Sequence, residues 1–334
     1  MNTRTFRVAL SFAALTVTSQ AFAAELTLPR DGWTSWQVAA VEGAPDLCCW
    51  SSWDDANPMR TACALDDNRG NSGSRDHTTT DAVRVYARVA GGKVERLRVF
   101  SASCPVKADT EIQPLGNVSE DDSARWLVKL FKSGADWIKH EDSRESLLTA
   151  LALHRGDFAF NELAAIARSD ARTEAREKAV FWLAHLRGNA GAEVATSVMF
   201  NDQDADIRKH AAFSITQSKS PRVASDLIRL GNTDKDGDVR AQAWFWLAQS
   251  GYASAEEAIF AAIRKDADED VSERAIFALS QLPDDRGTKA LITVAEDKTL
   301  SGEQRKRALF WLAQSESEGA QKYLEKILVG KTAN

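Results

Sequence analysis

The sequence predicts an α+β protein in which a small, disulfide-bonded, β-rich domain precedes an all-α solenoid of about five and a half helix pairs. Three observations support this fold class. A helical motif recurs about every 32 residues in the second half of the chain, all 4 cysteines lie before it, and a two-strand pattern with a Gly-Gly turn lies among them. A period of about 20–50 residues is typical of solenoids and related repeat arrays.

Residues 1–23 have the features of a secretory signal peptide. A basic region around Arg4 precedes the apolar run Val8–Val17, and Ala21 and Ala23 supply the small residues of a cleavage site. We therefore expect cleavage after Ala23 and a periplasmic or secreted protein. The alternative is a retained short anchor, although the run is shorter than the about 18 apolar residues of a membrane span.

The charge balance of the chain is acidic. It has 42 Lys and Arg residues against 48 Asp and Glu residues, a formal net charge of −6 at pH 7. Loss of the signal peptide removes two positive charges, Arg4 and Arg7, and leaves about −8. Nucleic acids and anionic membranes attract proteins with a basic surface. We therefore expect neither nucleic-acid binding nor membrane insertion.

Residues 24–117 form the predicted Cys/Trp-rich β domain. It contains four tryptophans, Trp33, Trp36, Trp50 and Trp53. Residues 82–90 and 93–100 flank Gly91-Gly92, which predicts a β-hairpin with a Gly-Gly turn. The polar stretch at residues 66–81 is expected to be a surface loop.

The cysteines are an even set in a chain with an export signal, which predicts two disulfides. They are Cys48, Cys49, Cys63 and Cys104. Because adjacent cysteines rarely bond each other, Cys48 and Cys49 should bond Cys63 and Cys104 in one order or the other. A zinc or copper site and a redox centre are alternatives that use the same thiolates, although the chain lacks a Cys-x-x-Cys pair.

The predicted solenoid occupies residues 142–334, after a helical linker or cap at 118–141. Successive copies of its motif are 32 or 33 residues apart and begin at Glu174, Asp206, Asp238, Asp270 and Glu303. A weaker copy occupies residues 144–152. Apolar residues in each copy follow a helical spacing, and a second amphipathic segment lies between copies. Each unit is therefore an antiparallel helix pair that buries its apolar face by stacking on its neighbours.

The copy at Asp238–Ala248 reads Asp-Val-Arg-Ala-Gln-Ala-Trp-Phe-Trp-Leu-Ala. This signature, at about 32 residues per unit, resembles the short HEAT-like repeats first named in phycobiliprotein lyases, and the resemblance covers Asp142–Val329. It implies an α-solenoid and no particular activity. With its export signal and Cys/Trp-rich front domain, the chain also resembles a set of exported bacterial HEAT-repeat proteins without an assigned activity.

One position of the motif is phenylalanine in five successive units: Phe181, Phe213, Phe245, Phe277 and Phe310. On a helical wheel this position lies opposite the apolar face, among Lys, Arg, His and Gln residues. The second helices of a solenoid line its concave surface, so we expect an apolar stripe there that binds a protein or peptide partner. The alternative is that neighbouring helices or the front domain cover the rings.

The next position of the motif alternates between large and small side chains. It holds Ala150, Trp182, Ser214, Trp246, Ala278 and Trp311 in chain order. Because this position lies beside the apolar face, we expect these tryptophans on the packed side, where they fill space between units.

The pattern Asp-x-Asp-x-Asp recurs at residues 202–206, 234–238 and 266–270. It lacks the Gly and the bidentate Glu of a calcium-binding loop, which excludes an EF-hand. We expect Asp206, Asp238 and Asp270 to be N-caps of the second helices. A weak cation site is the alternative.

The chain contains no nucleophile elbow, no His-Glu-x-x-His pair and no phosphate-binding loop. We therefore nominate no catalytic residue, cofactor or metal ligand. The leading hypothesis is an exported scaffold that binds its partner through the five phenylalanines. One alternative is a thiol- or metal-handling protein that acts through the Cys-rich domain, and another is an enzyme with a site between the domains.

Overall fold

The computed structural model describes residues 26–29, 31–50, 59–67, 72–134, 141–283 and 285–332. The predicted signal peptide and Trp53 lie outside these residues. None of the helices in the described part of the chain is both long enough and apolar enough to cross a bilayer.

Nine strands form the N-terminal part of the described chain. They are β1 (Gly32–Ala39), β2 (Pro45–Trp50), β3 (Arg60–Thr61), β4 (Cys63–Ala64), β5 (Ser72–Thr79), β6 (Ala82–Ala90), β7 (Lys93–Ser101), β8 (Val106–Lys107) and β9 (Ile112–Pro114). They make a four-stranded sheet in the order β7–β6–β1–β9, a three-stranded sheet β3–β2–β5 and a two-stranded sheet β4–β8. The strand-rich front region expected from the sequence is therefore present.

The predicted hairpin is confirmed as β6 and β7, which pair antiparallel. The turn residues Gly91 and Gly92 have φ angles of 57° and 74°. Only glycine adopts this left-handed conformation readily, which is why two glycines fit a two-residue turn.

The prediction of a surface loop at 66–81 is wrong over residues 72–79, which form β5. This strand pairs antiparallel with β2, with Leu47 opposite Ser74 and Cys48 opposite Gly73. Its sequence, Ser-Gly-Ser-Arg-Asp-His-Thr-Thr, has no alternation of apolar residues. Pairing with β2 therefore forms this strand, and a hydrophobic pattern could not reveal it.

Both predicted disulfides are present: Cys48 bonds Cys104, and Cys49 bonds Cys63. Cys48 and Cys49 are consecutive residues of β2, so their side chains point to opposite faces of the sheet and take separate partners. The Cys48–Cys104 bond is part of a small core, together with Trp33, Cys63, Leu65, Tyr86 and Phe100.

Thirteen helices follow in the described part of the chain. They are α1 (Glu120–Lys132), α2 (Glu141–Leu153), α3 (Asp157–Ser169), α4 (Thr173–Leu186), α5 (Gly188–Asn201), α6 (Ala205–Thr216), α7 (Val223–Thr233), α8 (Gly237–Gln249), α9 (Ala255–Lys265), α10 (Glu269–Ser280), α11 (Arg286–Glu296), α12 (Gly302–Gln314) and α13 (Glu318–Thr332). The five strong motif copies lie in α4, α6, α8, α10 and α12, which we call the second helices. Each follows a first helix, α3, α5, α7, α9 or α11, so the predicted helix pairs are present.

The second helices pack more extensively on one another than the first helices do. In α8, Val239, Ala243 and Leu247 are fully buried, as the apolar spacing predicts. Trp244 is also fully buried, against α7. A Cβ atom at Gly231 of α7 would lie 2.5 Å from the Trp244 ring, so α7 packs this closely only because it has glycine there.

The aspartate motif caps helices, but the cap is two residues earlier than predicted. The N-caps of α6, α8 and α10 are Asp204, Asp236 and Asp268. Their carboxylates accept hydrogen bonds of 2.9–3.0 Å from the main-chain N–H groups two residues on. The predicted N-caps, Asp206, Asp238 and Asp270, are therefore in the first helical turn, where their charge suits the positive helix terminus.

The first aspartate of each triplet joins two units. Nε of Arg208 in α6 donates to Asp234 at 2.8 Å, and Nε of Arg240 in α8 donates to Asp266 at 2.9 Å. The side chain of Arg208 is only 3% exposed. Burial disfavours the charged form of Asp234, but the hydrogen bonds from Arg208 and the main chain outweigh it and hold the pKa of that carboxyl below its usual value.

A buried polar chain joins the four-stranded sheet to α1 and to the residue that follows α2. Nε1 of Trp36 in β1 donates to Oγ of Ser123 in α1 at 2.6 Å, and this hydroxyl lies 2.7 Å from Nε2 of His154. Nδ1 of His154 bonds the main-chain oxygen of Ala150, which can only accept, so Nε2 accepts from Ser123. The ring of Trp36 also packs edge-on against Trp126, at 5.2 Å.

Candidate protein-binding surface

The five phenylalanines predicted to bind a partner project from the same face of the second helices. Phe181, Phe213, Phe245 and Phe277 are half-buried, and Phe310 is 48% exposed. Each phenylalanine lies beside the buried residues of its helix and is rotated from them about the helix axis towards solvent. The rings are therefore accessible on one side.

The rings form one continuous surface, which we call the aromatic ribbon. It consists of Phe181, Trp182, Phe213, Phe245, Trp246, Phe277, Phe310 and Trp311. Stacked contacts of 6.1 and 6.0 Å join Phe181 to Phe213 and Phe245 to Phe277. Between these pairs the tryptophans make the contacts: Trp246 lies 4.8 Å from Phe213 and 4.9 Å from Phe245.

The same arrangement recurs at the end of the ribbon. Trp311 lies 4.7 Å from Phe277 and 5.0 Å from Phe310. Ser214 and Ala278, which occupy the tryptophan position in α6 and α10, are fully buried. Two phenylalanines stack directly where this residue is small, and a tryptophan lies between them where it is large. The ribbon therefore repeats every two units.

The tryptophans occupy a different place from the one predicted. Trp182, Trp246 and Trp311 pack against the core with one side, as expected, but each is half-buried and its ring is part of the ribbon. The fully buried tryptophan of α8 is Trp244, two positions earlier. The wheel placed Trp246 at the edge of the apolar face, and the packing of α7 shifts the buried arc towards Trp244.

A row of charged and polar residues lies along one side of the ribbon, three positions before each phenylalanine. It consists of Lys178, His210, Gln242, Arg274 and Arg307. Its cations are paired with carboxylates of the preceding unit: Lys178 with Glu145, Arg274 with Asp238, and Arg307 with Glu273. These ion pairs leave this side of the ribbon with little net charge.

A row of glutamines lies along the other side, four positions after Phe213, Phe245, Phe277 and Phe310. It consists of Gln217, Gln249, Gln281 and Gln314, at the C-terminal ends of α6, α8, α10 and α12. Nε2 of Gln249 donates to Oε1 of Gln281 at 3.3 Å, so side chains of neighbouring units meet. This glutamine row was not predicted from the sequence, although its spacing of 32 or 33 residues is visible in the repeat.

A cavity of about 500 Å³ opens beside the ribbon where α4, α6 and α8 meet. Phe213 and Trp246 form its apolar wall, and Glu177, Lys209 and His210 line its polar side. Nε2 of His210 has no hydrogen-bond partner among the described residues. Burial lowers the pKa of His210, so the ring is neutral near neutral pH and can accept a hydrogen bond.

Among the residues that the structure describes, the Ser123–His154 pair is the arrangement closest to a nucleophile and base, and it is buried. Both residues are 0% exposed, and both take part in the polar chain to Trp36. The described residues contain no group of three His, Cys, Asp or Glu side chains placed to hold a metal ion.

Comparison with known protein families finds a match in the second half of the chain. The sequence pattern of HEAT repeats matches residues 160–248 and 232–309. These ranges include α4, α6, α8 and α10 and most of α12. No curated protein matches the chain significantly.

Proposed function

We propose that this protein is an exported scaffold that binds a protein or peptide partner on the aromatic ribbon, because the sequence pattern of HEAT repeats matches residues 160–309. The continuity of the ribbon across five units is the observation that carries the proposal. Each ring contacts a ring of the same or the next unit, from Phe181 to Phe310.

Folding alone gives little reason for phenylalanine at five equivalent half-exposed positions. The core of each unit is formed by other residues, such as Val239, Ala243 and Leu247 in α8. Extended apolar patches on a protein surface typically mark interaction sites, and aromatic residues supply much of the binding energy at protein interfaces. The ribbon therefore favours a binding function.

The flanking residues favour a protein ligand over a polyanion. The cations beside the ribbon are already paired with carboxylates, and the whole chain carries a net charge of −6. Nucleic-acid binding depends on unpaired basic groups that displace counterions from phosphates. The disulfides support export, because such bonds persist in oxidising compartments.

The alternative of a thiol- or metal-handling protein has less support. Every cysteine is in a disulfide, so the thiolates that such a site needs are in use. An enzyme with a site between the domains also has less support, since Ser123 and His154 at that junction are fully buried.

The proposal is tested by selection from a display library of random fifteen-residue peptides. The intact chain should enrich a set of sequences that the double variant Phe245→Ser, Phe277→Ser does not bind. The matched control is Phe200→Ser, Phe260→Ser, which removes two half-buried phenylalanines from the first helices α5 and α9. Equal enrichment by the ribbon variant and the unmodified chain would contradict the proposal, as would loss of binding in the control alone.

A further inference from the structure

We propose that the ribbon binds its partner as an extended, β-like peptide segment that crosses the second helices, with its main chain hydrogen-bonded by the glutamine row. The inference rests on the proposed function and specifies the conformation of the ligand. Alternate side chains of the segment would lie on the aromatic rings, so the segment would carry apolar residues at every second position.

The first argument is the spacing of the units. Packed helices are about 8–10 Å apart, so two units span about 16–20 Å. Five to six residues of an extended strand span this distance, at about 3.3 Å each. With six residues, an even number, the strand presents the same face again after two units. The aromatic contacts also recur after two units, in which Phe245 and Trp246 take the places of Phe181 and Trp182.

The second argument is the chemistry of the glutamine row. The primary amide of a glutamine has two N–H donors and a carbonyl acceptor. A peptide main chain offers the complementary groups, a carbonyl acceptor and an N–H donor. Gln217, Gln249 and Gln314 are exposed, and Gln281 is half-buried. The Gln249–Gln281 bond is long, at 3.3 Å, and a peptide amide inserted between the two side chains could replace it.

Neighbouring hydroxyls hold two of these amides in place. Nε2 of Gln217 donates to Oγ1 of Thr216 at 3.0 Å, and Nε2 of Gln281 donates to Oγ of Ser280 at 2.9 Å. Each amide nitrogen keeps a second N–H group, and each side-chain carbonyl keeps accepting capacity. Side chains that are already oriented lose less conformational entropy when they bind.

A helical ligand would use the ribbon but not the glutamine row. The main-chain groups inside an α-helix are bonded to one another, so they offer nothing to a row of amides. An extended strand has a complete edge of unpaired N–H and C=O groups. The paired charges beside the ribbon also suit an uncharged main chain better than an acidic or basic helix face.

The experiment uses the full chain and two fluorescent synthetic peptides. The first alternates valine and serine over twelve residues between lysine pairs. The second peptide differs only in that α-aminoisobutyrate, which favours a helix, replaces every second serine. Fluorescence anisotropy should give a lower Kd for the extended peptide than for the helical peptide. The variant Gln249→Ala, Gln281→Ala should raise the Kd of the extended peptide by about tenfold, since two hydrogen bonds are lost.

Controls separate this inference from the proposed function. Gln321→Ala removes an exposed glutamine of α13 outside the row and should leave the Kd unchanged. Full binding by the Gln249→Ala, Gln281→Ala variant, or a lower Kd for the helical peptide, overturns the extended-chain inference while the aromatic site stands. Failure of the unmodified chain to bind either peptide, or equal binding by Phe245→Ser, Phe277→Ser, overturns the proposed function as well.

Discussion

The ring of Phe213 in α6 lies 4.8 Å from the ring of Trp246 in α8, in the next unit of the solenoid. Aromatic contacts of this kind add about 0.5–1.5 kcal/mol beyond the burial of area. Trp246 therefore has two sides: one packs against the core, and the other extends the surface that Phe213 begins. Removal of the Trp246 ring would change both the stability of the fold and the surface of the ribbon, so a Trp246 variant cannot distinguish the two roles.

Trp244 and Phe245 allow that separation, because they are adjacent in α8 and differ in burial. Trp244→Ala should lower the free energy of unfolding by about 3–5 kcal/mol, since it opens a cavity against α7. Phe245→Ser should lower it by about 1 kcal/mol, because its ring is already half in solvent. Urea titration followed by circular dichroism measures both values. Equal losses would mean that the Phe245 ring is a core residue.

Arg208 is expected to hold units together through Asp234. Arg208→Ala should lower the free energy of unfolding by about 3–5 kcal/mol, because it leaves a buried carboxylate without its partner. Arg208→Lys should restore little of this loss, since lysine cannot make the two parallel hydrogen bonds. The control is Lys322→Ala, which breaks an exposed pair with Glu318 and should change little. A loss no larger than that of the control would contradict the role of Arg208.

His154 should make stability depend on pH. Burial, and to a lesser extent the positive charge of Arg187, lower the pKa of His154 from 6.5 to about 4. As the pH falls below 6.5, the unfolded chain binds a proton that the folded chain does not. The stability that neutral His154 contributes is therefore fully present above pH 6.5 and is lost as the pH falls towards 4. The loss is about 2 kcal/mol at pH 5.

The variant His154→Gln isolates this contribution from those of the carboxylates. Urea titrations at pH 7 and pH 5 give the change in unfolding free energy between the two conditions. That change should be smaller in the variant than in the unmodified chain by about 2 kcal/mol. An identical change in both chains would show that His154 is protonated in the folded state at pH 5.

The two disulfides should differ in their contribution to stability. Cys48–Cys104 joins residues 56 apart, whereas Cys49–Cys63 joins residues 14 apart. The longer loop restricts the unfolded chain more, so Cys48→Ala, Cys104→Ala should cost about 1 kcal/mol more than Cys49→Ala, Cys63→Ala. Thermal unfolding of the two double variants measures the difference. Thiol titration of the denatured, unreduced protein should find no free thiol, and four would contradict both bonds.

Sequence periodicity was sufficient to predict the helix pairs, because every unit has its buried apolar residues at equivalent positions. The five phenylalanines could be placed on one face for the same reason, since a helical wheel depends only on spacing. The helical wheel could not place Trp246, because the width of the buried arc depends on how closely α7 approaches α8. That distance is set by Gly231, which belongs to another helix.

Interactions between distant residues were harder to predict. Arg208 and Asp234 are both visible in the motif, but the bond joins one copy to the next, and an alignment of copies compares each residue only with its equivalents. The strand β5 was missed because its pairing with β2 leaves no apolar pattern. The order of the disulfides needed the strand direction at Cys48 and Cys49, which spacing alone does not give.

Because the ribbon repeats every two units, it would also restrict the registers in which a peptide can bind. A bound chain that slides by one unit meets a phenylalanine stack where a tryptophan was, so its contacts no longer match. A slide by two units, from Phe181 and Trp182 to Phe245 and Trp246, restores the same set of rings. Bound segments would therefore have a few equivalent registers about 16–20 Å apart, with mismatched positions between them. In the same way, gain or loss of a single unit would interrupt the surface, whereas gain or loss of two units would only change its length.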